Sequence, residues 1–202
     1  KRQITYQEQK TYFDVLRLTV DDKYSWDFAM LGVGLRYING VGKPDMLHYV
    51  ESFGMEGHYD FASNRGYIWS RTFPLLKRAL LLGVGQDNFA YAFPNDDYVG
   101  KVNCGFNEQI VTKPHNMYLQ IWVQDGLPAL LAFLALYLLL FGRTIRKCFK
   151  KGKWNHSHKI SLAFLCGVSG YFVAGLANDS SICVAPVFWV LFGVAFAVLR
   201  SE

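Results

Sequence analysis

Charge is scarce in this sequence. Of its 202 residues only 18% are Asp, Glu, Lys or Arg, whereas 51% are hydrophobic and 16% are aromatic, a balance that favours a membrane protein over a soluble domain. Cysteine is scarce as well, and the four cysteines show no CxxC or other paired spacing, so neither a disulfide framework nor a zinc site is indicated. Hydrolase motifs such as GxSxG and HExxH are missing, and the histidines lack metal-ligand spacing. No metal or other cofactor is predicted.

Long apolar runs, in contrast, fill the second half of the chain, at residues 127–141, 160–176 and 182–199. A bilayer core needs ~20 apolar helical residues, so the second and third runs are long enough and the first is short unless it begins near Met117. Ahead of the first run, Asn116, Gln120 and Gln124 share one helical face, as in an amphipathic turn that leads into a membrane span. We therefore predict about three transmembrane helices.

The loop between the first two spans fixes their orientation. Residues 142–159 carry seven Lys and Arg and no acidic residue, as in the short cytoplasmic loops of polytopic membrane proteins. A basic loop that contacts anionic lipid has the same orientation. Residues 1–115 then lie outside the cytoplasm. They hold 13 Lys and Arg against 13 Asp and Glu, so the net charge of +5 arises beyond them and gives no support for nucleic-acid binding.

The predicted fold class is all-α, a polytopic helical membrane protein fragment with a large extracytoplasmic loop region at residues 1–115. We expect that region to be mainly helical, because apolar residues recur at helical spacing over residues 6–18 and 67–82. The transmembrane region follows at residues 116–202. The chain begins with Lys1 and lacks both an initiator methionine and a signal-peptide pattern, so we expect it to be a piece of a longer protein.

Three side chains are candidates for chemistry. His115, in "TKPHNMYLQIWVQDG", stands directly before the first span, where an imidazole could accept a proton. A structural role in starting the helix suits this position too, and Pro114 and Asn116 fit that role equally well. Arg65 and Arg71 accompany an apolar helix and could bind phosphate oxygens, but a solvated basic helix face explains them as well. On the residues alone both interpretations stay open.

Two polar turns have a structural explanation. The segment "GVGQDNF", residues 83–89, lacks the third glycine and the lysine of nucleotide loops, so a helix-ending turn is the better interpretation. Asn178, Asp179 and Ser180 separate the last two spans. Charged residues at such places are often functional, but a hydrophilic external turn accounts for these three.

The order of these features resembles the carboxy-terminal half of the O-antigen ligase and polymerase family, which consists of polytopic bacterial membrane proteins. The features are Arg65 with Trp69, an apolar helix that ends in "GVGQDNF", "PHNMYLQIWVQDG" at the start of a span, a basic loop, and "APVFWVLFGVAFA" in the last span. The resemblance covers residues 63–199. Residues 1–62 share with the family only the position of its large external loop.

The resemblance implies a metal-independent glycosyltransferase of the bacterial cytoplasmic membrane, which joins or polymerises glycans carried on a polyprenyl pyrophosphate at the outer face. His115 then corresponds to the histidine proposed to accept the proton of the attacking saccharide hydroxyl, and Arg65 to an arginine that holds the leaving pyrophosphate. We add Arg71 and Asn116 as candidate substrate contacts, which the resemblance does not select. A further arginine of the family would lie before Lys1, so these residues alone are not expected to suffice for activity.

Two other classes of function stay open. A glycan transporter or flippase would place polar residues at mid-span, whereas here the spans hold little beyond Ser161, Ser169 and Tyr171. A saccharide-binding module on a membrane anchor would use the loop region, since ten of the 12 tyrosines lie at or before Tyr118. Ligase and polymerase are not separated, because they share a donor and differ in the acceptor.

Overall fold

The computed structural model describes residues 2–6, 9–20, 24–40, 42–105, 109–149 and 156–200. By their own contacts these residues form two compact units, which we term the sheet unit (Lys1–Glu51 and Pro94–Ile110) and the helical unit (Ser52–Phe93 and Val111–Glu202). The predicted loop region thus supplies the sheet unit and part of the helical unit. Its location outside the cytoplasm stays a prediction.

An antiparallel meander of five strands builds the sheet unit. The strands are β1 (Arg2–Tyr6), β2 (Gln9–Val20), β3 (Tyr24–Leu31), β4 (Gly34–Ile38) and β5 (Pro44–Asp45). Phe28 pairs with Tyr37 across β3 and β4, so both side chains lie on one face of the sheet. Phe13, Ala29 and Ile38 point to the opposite face, where they form a small buried cluster.

The sheet overturns the prediction of a helix over residues 6–18. Most of that stretch is β2, and its apolar side chains alternate between the two faces. Phe13 and Val15 pack in the buried cluster, whereas Leu16 and Leu18 lie on the other face and are about half exposed. Pairing with β3 along the strand outweighs a weak helical spacing. The all-α prediction is therefore wrong for the sheet unit, although the chain as a whole is mostly helical.

Seven helices occur in the described ranges. They are α1 (Phe61–Arg78), α2 (Phe89–Ala92), α3 (Tyr98–Asn103), α4 (Met117–Asp125), α5 (Leu127–Phe149), α6 (His156–Ala174) and α7 (Ala185–Arg200). Only α3 belongs to the sheet unit. The helix predicted over residues 67–82 is present as part of α1, which begins earlier and ends earlier than predicted.

Within the described residues, α5 alone is both long enough and apolar enough to cross a membrane, with a mean hydropathy of 1.9. The apolar part of α7, Ala185–Leu199, is shorter. The first turn of α6 is polar from His156 to Lys159, which shortens its apolar part. Of the three predicted spans, only α5 has the length and composition of a membrane span in the described residues. The other two apolar runs form shorter apolar segments.

Aromatic rings pack α5, α6 and α7 together. Phe172 of α6 stacks on Phe133 of α5 with ring centroids 4.7 Å apart. Tyr171 of α6 stacks on Phe188 of α7 at 4.1 Å. Such contacts contribute about 1 kcal/mol each beyond the burial of their area, and they align the three helices side by side.

Basic residues and the candidate histidine lie at opposite ends of this bundle. Near the end of α5, the ammonium of Lys147 donates to the Ser157 hydroxyl at 2.8 Å and to the Val198 carbonyl at 3.4 Å. At the other end, the backbone N–H of Met117 donates to the carbonyl of Gly175 at 2.8 Å. A side chain at position 175 would collide with Met117, so glycine permits this close approach of α4 and α6. The side of the membrane on which each end lies stays a prediction.

Candidate functional site

A short segment before α4 holds the candidate histidine. The indole N–H of Trp69 donates to the carbonyl of Pro114 at 2.9 Å, so α1 fixes the chain just ahead of it. His115 adopts a left-handed backbone conformation with φ 52°. That conformation costs a non-glycine residue about 1–3 kcal/mol and is common at functional sites. Asn116 then caps α4, because its Oδ1 accepts a hydrogen bond from the Leu119 N–H at 2.9 Å.

A carboxylate lies against the imidazole. His115 Nδ1 is 2.9 Å from Oδ2 of Asp179, in the turn between α6 and α7. The imidazole side chain is 47% exposed, whereas the carboxylate side chain is only 9% exposed. Oδ1 of Asp179 is buried and has no hydrogen-bond partner among the described residues. A carboxylate on Nδ1 fixes the orientation and tautomer of the ring and leaves Nε2 to accept a proton. The pair has the geometry of a general base with its positioning partner.

Hydrogen bonds tie the Asp179 turn to α4 at two points. The Asn116 side-chain Nδ2 donates to the Leu176 carbonyl at 2.9 Å. One helical turn further along α4, Oε1 of Gln120 accepts a hydrogen bond from the Ser180 backbone N–H at 2.9 Å. The packing of α4 against this turn therefore sets the distance between imidazole and carboxylate. Both ends of the Asn116 carboxamide have protein partners, and its substrate contact stays a prediction.

His115 lines a cavity of about 540 Å³, which we term the histidine cavity. Its polar side chains include those of Lys113, His115, Asn178 and Asp179. Lys113 is exposed and is paired with no carboxylate in the described part of the chain. The cavity thus combines a base, the carboxylate that orients it and a positive charge. Such a set can deprotonate a hydroxyl beside a group on which negative charge develops.

A second cavity of about 370 Å³ adjoins the first, and we term it the glutamine cavity. Both are lined by Lys113, Tyr171 and Ser181. Gln120 and Gln124 of the predicted polar stripe line the glutamine cavity. The shared helical face predicted for these two residues is therefore confirmed, and it lines this cavity at the end of the bundle.

Arg65 begins the right-handed part of α1. Residues 62–64 before it have left-handed conformations, with φ between 51° and 66°. The arginine is partly buried, and no residue of the described ranges pairs with its guanidinium. Trp69, one helical turn later, bonds the Pro114 carbonyl at 2.9 Å. Arg65 does not line the histidine cavity, but the helix that carries it holds the segment before His115.

Arg71 has a different environment, because it is buried between aromatic rings. Its guanidinium carbon lies 4.8 Å from the ring centroid of Tyr59 and 4.6 Å from that of Tyr67. Nη1 donates to the Ser70 hydroxyl at 2.9 Å. Cation–π contacts of this kind contribute roughly 1–2 kcal/mol when they are desolvated. The structure thus gives Arg71 protein partners, and its contact with phosphate stays a prediction.

The turn at residues 83–89 packs against the end of α4. The backbone N–H groups of Val84 and Gly85 donate to carbonyls of α4 at 2.8 and 2.9 Å. Gly83 has φ 67°, and a side chain there would collide with the backbone of Gln124. Because these N–H groups already donate hydrogen bonds to carbonyls of the protein, they are not free to bind a phosphate. The segment is thus structural, but the prediction that it ends the helix is wrong, because α1 already ends at Arg78.

The sequence predicts an ordinary hydrophilic turn at Asp179 and no chemical role for its carboxylate. One signal in the sequence does point to a role, since Asp179 is the only acidic residue between Asp125 and Glu202. The predicted topology also placed it on the same side of the membrane as His115. An isolated acid between two apolar runs, on the side of a candidate base, is a specific pattern. No group of three or more His, Cys, Asp or Glu in the described ranges could hold a metal ion.

Comparison with protein families gives one match. A family model described as O-antigen ligase matches residues 24–134. The match includes Arg65, Arg71, His115 and Asn116, and it extends into the sheet unit, whereas the resemblance seen in the sequence began at residue 63. It ends before Asp179. Comparisons with curated proteins and with solved structures found no significant match.

Proposed function

On the premise that the chain belongs to the O-antigen ligase family, we propose that it transfers a glycan from a polyprenyl pyrophosphate to a saccharide hydroxyl. The reaction takes place at the outer face of the bacterial cytoplasmic membrane and needs no metal. A ligase and a polymerase of this kind differ in the acceptor, and the proposal covers both. The sheet unit and the end of the bundle that carries His115 lie on the outer side.

The observation that carries the proposal is the pair formed by His115 and Asp179. A hydroxyl nucleophile gains most from a base that is held in one orientation beside the reacting carbon. The buried carboxylate supplies that orientation, since its Oδ2 lies 2.9 Å from Nδ1. The half-exposed imidazole remains accessible from the cavity that it lines. A histidine that served only to start α4 would not require a buried acidic partner, because Asn116 already caps the helix.

The chemical step is a substitution at the anomeric carbon of the donor. The acceptor hydroxyl oxygen attacks this carbon and forms the new glycosidic C–O bond, while its proton passes to Nε2 of His115. The C–O bond to the carrier breaks, and its electron pair leaves with the polyprenyl pyrophosphate. Asp179 stabilises the imidazolium that forms. The proton is later released to water, and the free base is restored.

Arg65 binds the leaving pyrophosphate in this proposal. A departing pyrophosphate needs fixed positive charge where its negative charge grows, and a guanidinium can bind two phosphate oxygens at once. Arg65 suits this role because no described residue already neutralises it. Since it does not line the histidine cavity, the donor has to extend from that cavity toward α1. Lys113, which does line the cavity, supplies positive charge closer to the base.

The test uses the full-length protein in its own cells. His115→Ala should abolish surface glycan assembly and Arg65→Ala should strongly lower it, and both should leave the lipid-linked donor to accumulate at the outer face. His48→Ala is the matched control, because His48 also lies beside an aspartate but belongs to the sheet unit. Membrane abundance of each variant is measured by immunoblot. Wild-type surface glycan in the His115 variant at normal abundance would rule the proposal out, and donor accumulation at the inner face would indicate a transporter.

A further inference from the structure

The glutamine cavity, which adjoins the base, has the lining of a site for uncharged saccharide. Three carboxamides line it, from Gln86, Gln120 and Gln124. Carboxamides both donate and accept hydrogen bonds, as sugar hydroxyls require. We propose that this cavity binds the acceptor saccharide and that Gln124 is a specificity-determining residue there. This inference rests on the proposed function, in which His115 takes the proton of the acceptor hydroxyl.

Gln124 is the most buried of the three carboxamide residues that line the cavity. It is only 4% exposed, and it is one of the residues that line the cavity. An amide at a cavity wall can bond a ligand there, and each such hydrogen bond contributes about 1 kcal/mol. Gln120 has its Oε1 bonded to the Ser180 N–H and keeps its N–H₂ group for a ligand. The two amides lie one helical turn apart on α4 and can bind neighbouring hydroxyls.

The apolar lining of the same cavity is aromatic. Phe133, Phe188 and Trp189 line it together with the carboxamides. Trp189 is 48% exposed, and it packs against Phe188 with ring centroids 5.2 Å apart. The C–H face of a pyranose packs well against an exposed aromatic ring. A lining of both amides and rings therefore suits a sugar better than either group alone.

The charges in the glutamine cavity favour an uncharged saccharide over the donor's pyrophosphate as its ligand. Asp87 and Asp125 both line it, and Lys113 is its cation among the described lining residues. Two carboxylates repel a pyrophosphate but accept hydrogen bonds from sugar hydroxyls. One of them is already oriented, since Gln86 Nε2 donates to Oδ1 of Asp125 at 2.6 Å. Because this cavity and the histidine cavity share Lys113 and Tyr171, a saccharide bound here can present a hydroxyl to the base.

The test measures binding without turnover. Full-length His115→Ala protein in nanodiscs is titrated by calorimetry with no donor present. The oligosaccharide is prepared from the source organism's own surface glycan and contains both the repeat unit and the saccharide to which the repeat unit is joined. Adding Gln124→Leu should weaken binding about tenfold, the effect of losing one to two hydrogen bonds. Adding Trp189→Ala should weaken it to a similar extent. Gln109→Leu is the control, because Gln109 is exposed in the sheet unit.

Three outcomes would overturn the inference. The first is unchanged affinity in both Gln124→Leu and Trp189→Ala, and the second is no binding of the oligosaccharide to the parent protein. The third is a loss of affinity for inorganic pyrophosphate in Gln124→Leu equal to the loss for sugar, because the cavity would then hold the leaving group. Trp189 is half exposed, so its variant keeps the test decisive if Gln124→Leu does not fold. Since no variant here needs activity, failure of the proposed transfer reaction would be seen separately, as normal surface glycan in His115→Ala cells.

Discussion

The helical unit and the sheet unit each contain a histidine beside an aspartate. His115 lies 2.9 Å from Asp179, and His48 lies 3.2 Å from Asp96. Both histidine side chains are 47% exposed, so the two imidazoles have equal access to solvent. The carboxylates differ, since that of Asp179 is 9% exposed and that of Asp96 is 50% exposed. The two pairs therefore differ in the burial of the aspartate and not in the exposure of the histidine.

This contrast shows what gives a histidine–aspartate pair a chemical role. A half-exposed carboxylate is solvated, and a surface pair of this kind contributes about 0–1 kcal/mol and is screened by salt. The Asp179 carboxylate is buried, is held by the turn that α4 anchors, and keeps one oxygen without a hydrogen-bond partner in the described residues. The Asp179 carboxylate therefore has little freedom to move away from the His115 imidazole. The pair in the helical unit can thus orient a base, whereas the pair in the sheet unit is an ordinary surface contact.

The largest expected effect is the difference in transfer rate between a variant without the His115 imidazole and a variant without the His48 imidazole. His115→Ala should lower the rate of glycan transfer by about 1000-fold, because a positioned base contributes that much to proton transfer. His48→Ala should leave the rate within about twofold, as expected for a surface pair. The rates are measured with the full-length enzyme in nanodiscs and a radiolabelled donor. Equal losses in the two variants would remove the distinction between the pairs.

The next effect concerns the carboxylates. Asp179→Asn should lower kcat by about 100-fold, because the amide no longer fixes the required tautomer or stabilises the imidazolium. The KM for the donor should stay within about twofold, since Asp179 acts through the histidine and does not bind phosphate. Asp96→Asn is the control and should match the wild type. A rise in donor KM at unchanged kcat would show that Asp179 contacts substrate instead.

A smaller effect separates the two arginines of α1. Arg65→Ala should lower kcat/KM for the donor about 30-fold, because a charge-assisted hydrogen bond to the leaving pyrophosphate is lost in the transition state. Arg71→Lys should leave kcat/KM for the donor unchanged and lower the free energy of unfolding by about 1 kcal/mol, because its stacking on Tyr59 and Tyr67 is weakened. Kinetics and urea unfolding are measured on the same preparations. A lowered kcat/KM for the donor in Arg71→Lys would support Arg71 as a phosphate contact.

The smallest effect belongs to the sheet unit and concerns its pH dependence. The Tyr98 hydroxyl donates to Asp45 at 2.5 Å, and this hydrogen bond lowers the pKa of Asp45. Burial, together with the same bond, raises the pKa of Tyr98 to about 12. The stability that Asp45 contributes is therefore present above its unfolded pKa and is lost as pH falls through its folded value. The contribution of Tyr98 is present below its unfolded pKa and is lost as pH rises toward 12.

Tyr98→Phe tests this assignment. It should lower the stability of the sheet unit by about 1 kcal/mol at neutral pH and remove most of the loss seen at both ends of the pH range. Hydrogen exchange of β4 and β5 in the full-length protein reports the change. Exchange that keeps the wild-type dependence on pH would show that the bond is not what stabilises these strands.

Features set by local spacing could be predicted from the sequence. The apolar run that forms α5 is continuous, and the polar residues of α4 recur every four positions, so both are visible without knowledge of the fold. His115 could be chosen as a candidate base because its motif and its position before a span occur together, and that role stays a prediction. That "GVGQDNF" is not a nucleotide loop followed from the missing lysine and third glycine, but α1 ends at Arg78, before this segment.

Features that depend on distant pairing could not be predicted. β2 becomes a strand because β3 and β1 bond to it, and no residue within β2 specifies those partners. Arg71 and Arg65 look alike in sequence, and only the rings of Tyr59 and Tyr67 distinguish them. Asp179 reaches His115 because α6 returns the chain to the start of α4, where Gly175 meets Met117.

The central claim is that Asp179 acts through His115, and a double-mutant cycle tests it most directly. Single-turnover transfer is measured for His115→Ala, Asp179→Asn and the double variant, with the same full-length enzyme and labelled donor. We expect the double variant to be no slower than His115→Ala alone, because the carboxylate has no function once the imidazole is gone. If the two losses multiply instead, so that the double variant is about 100-fold slower than His115→Ala, the residues act independently and the assignment of the pair as one catalytic unit is contradicted.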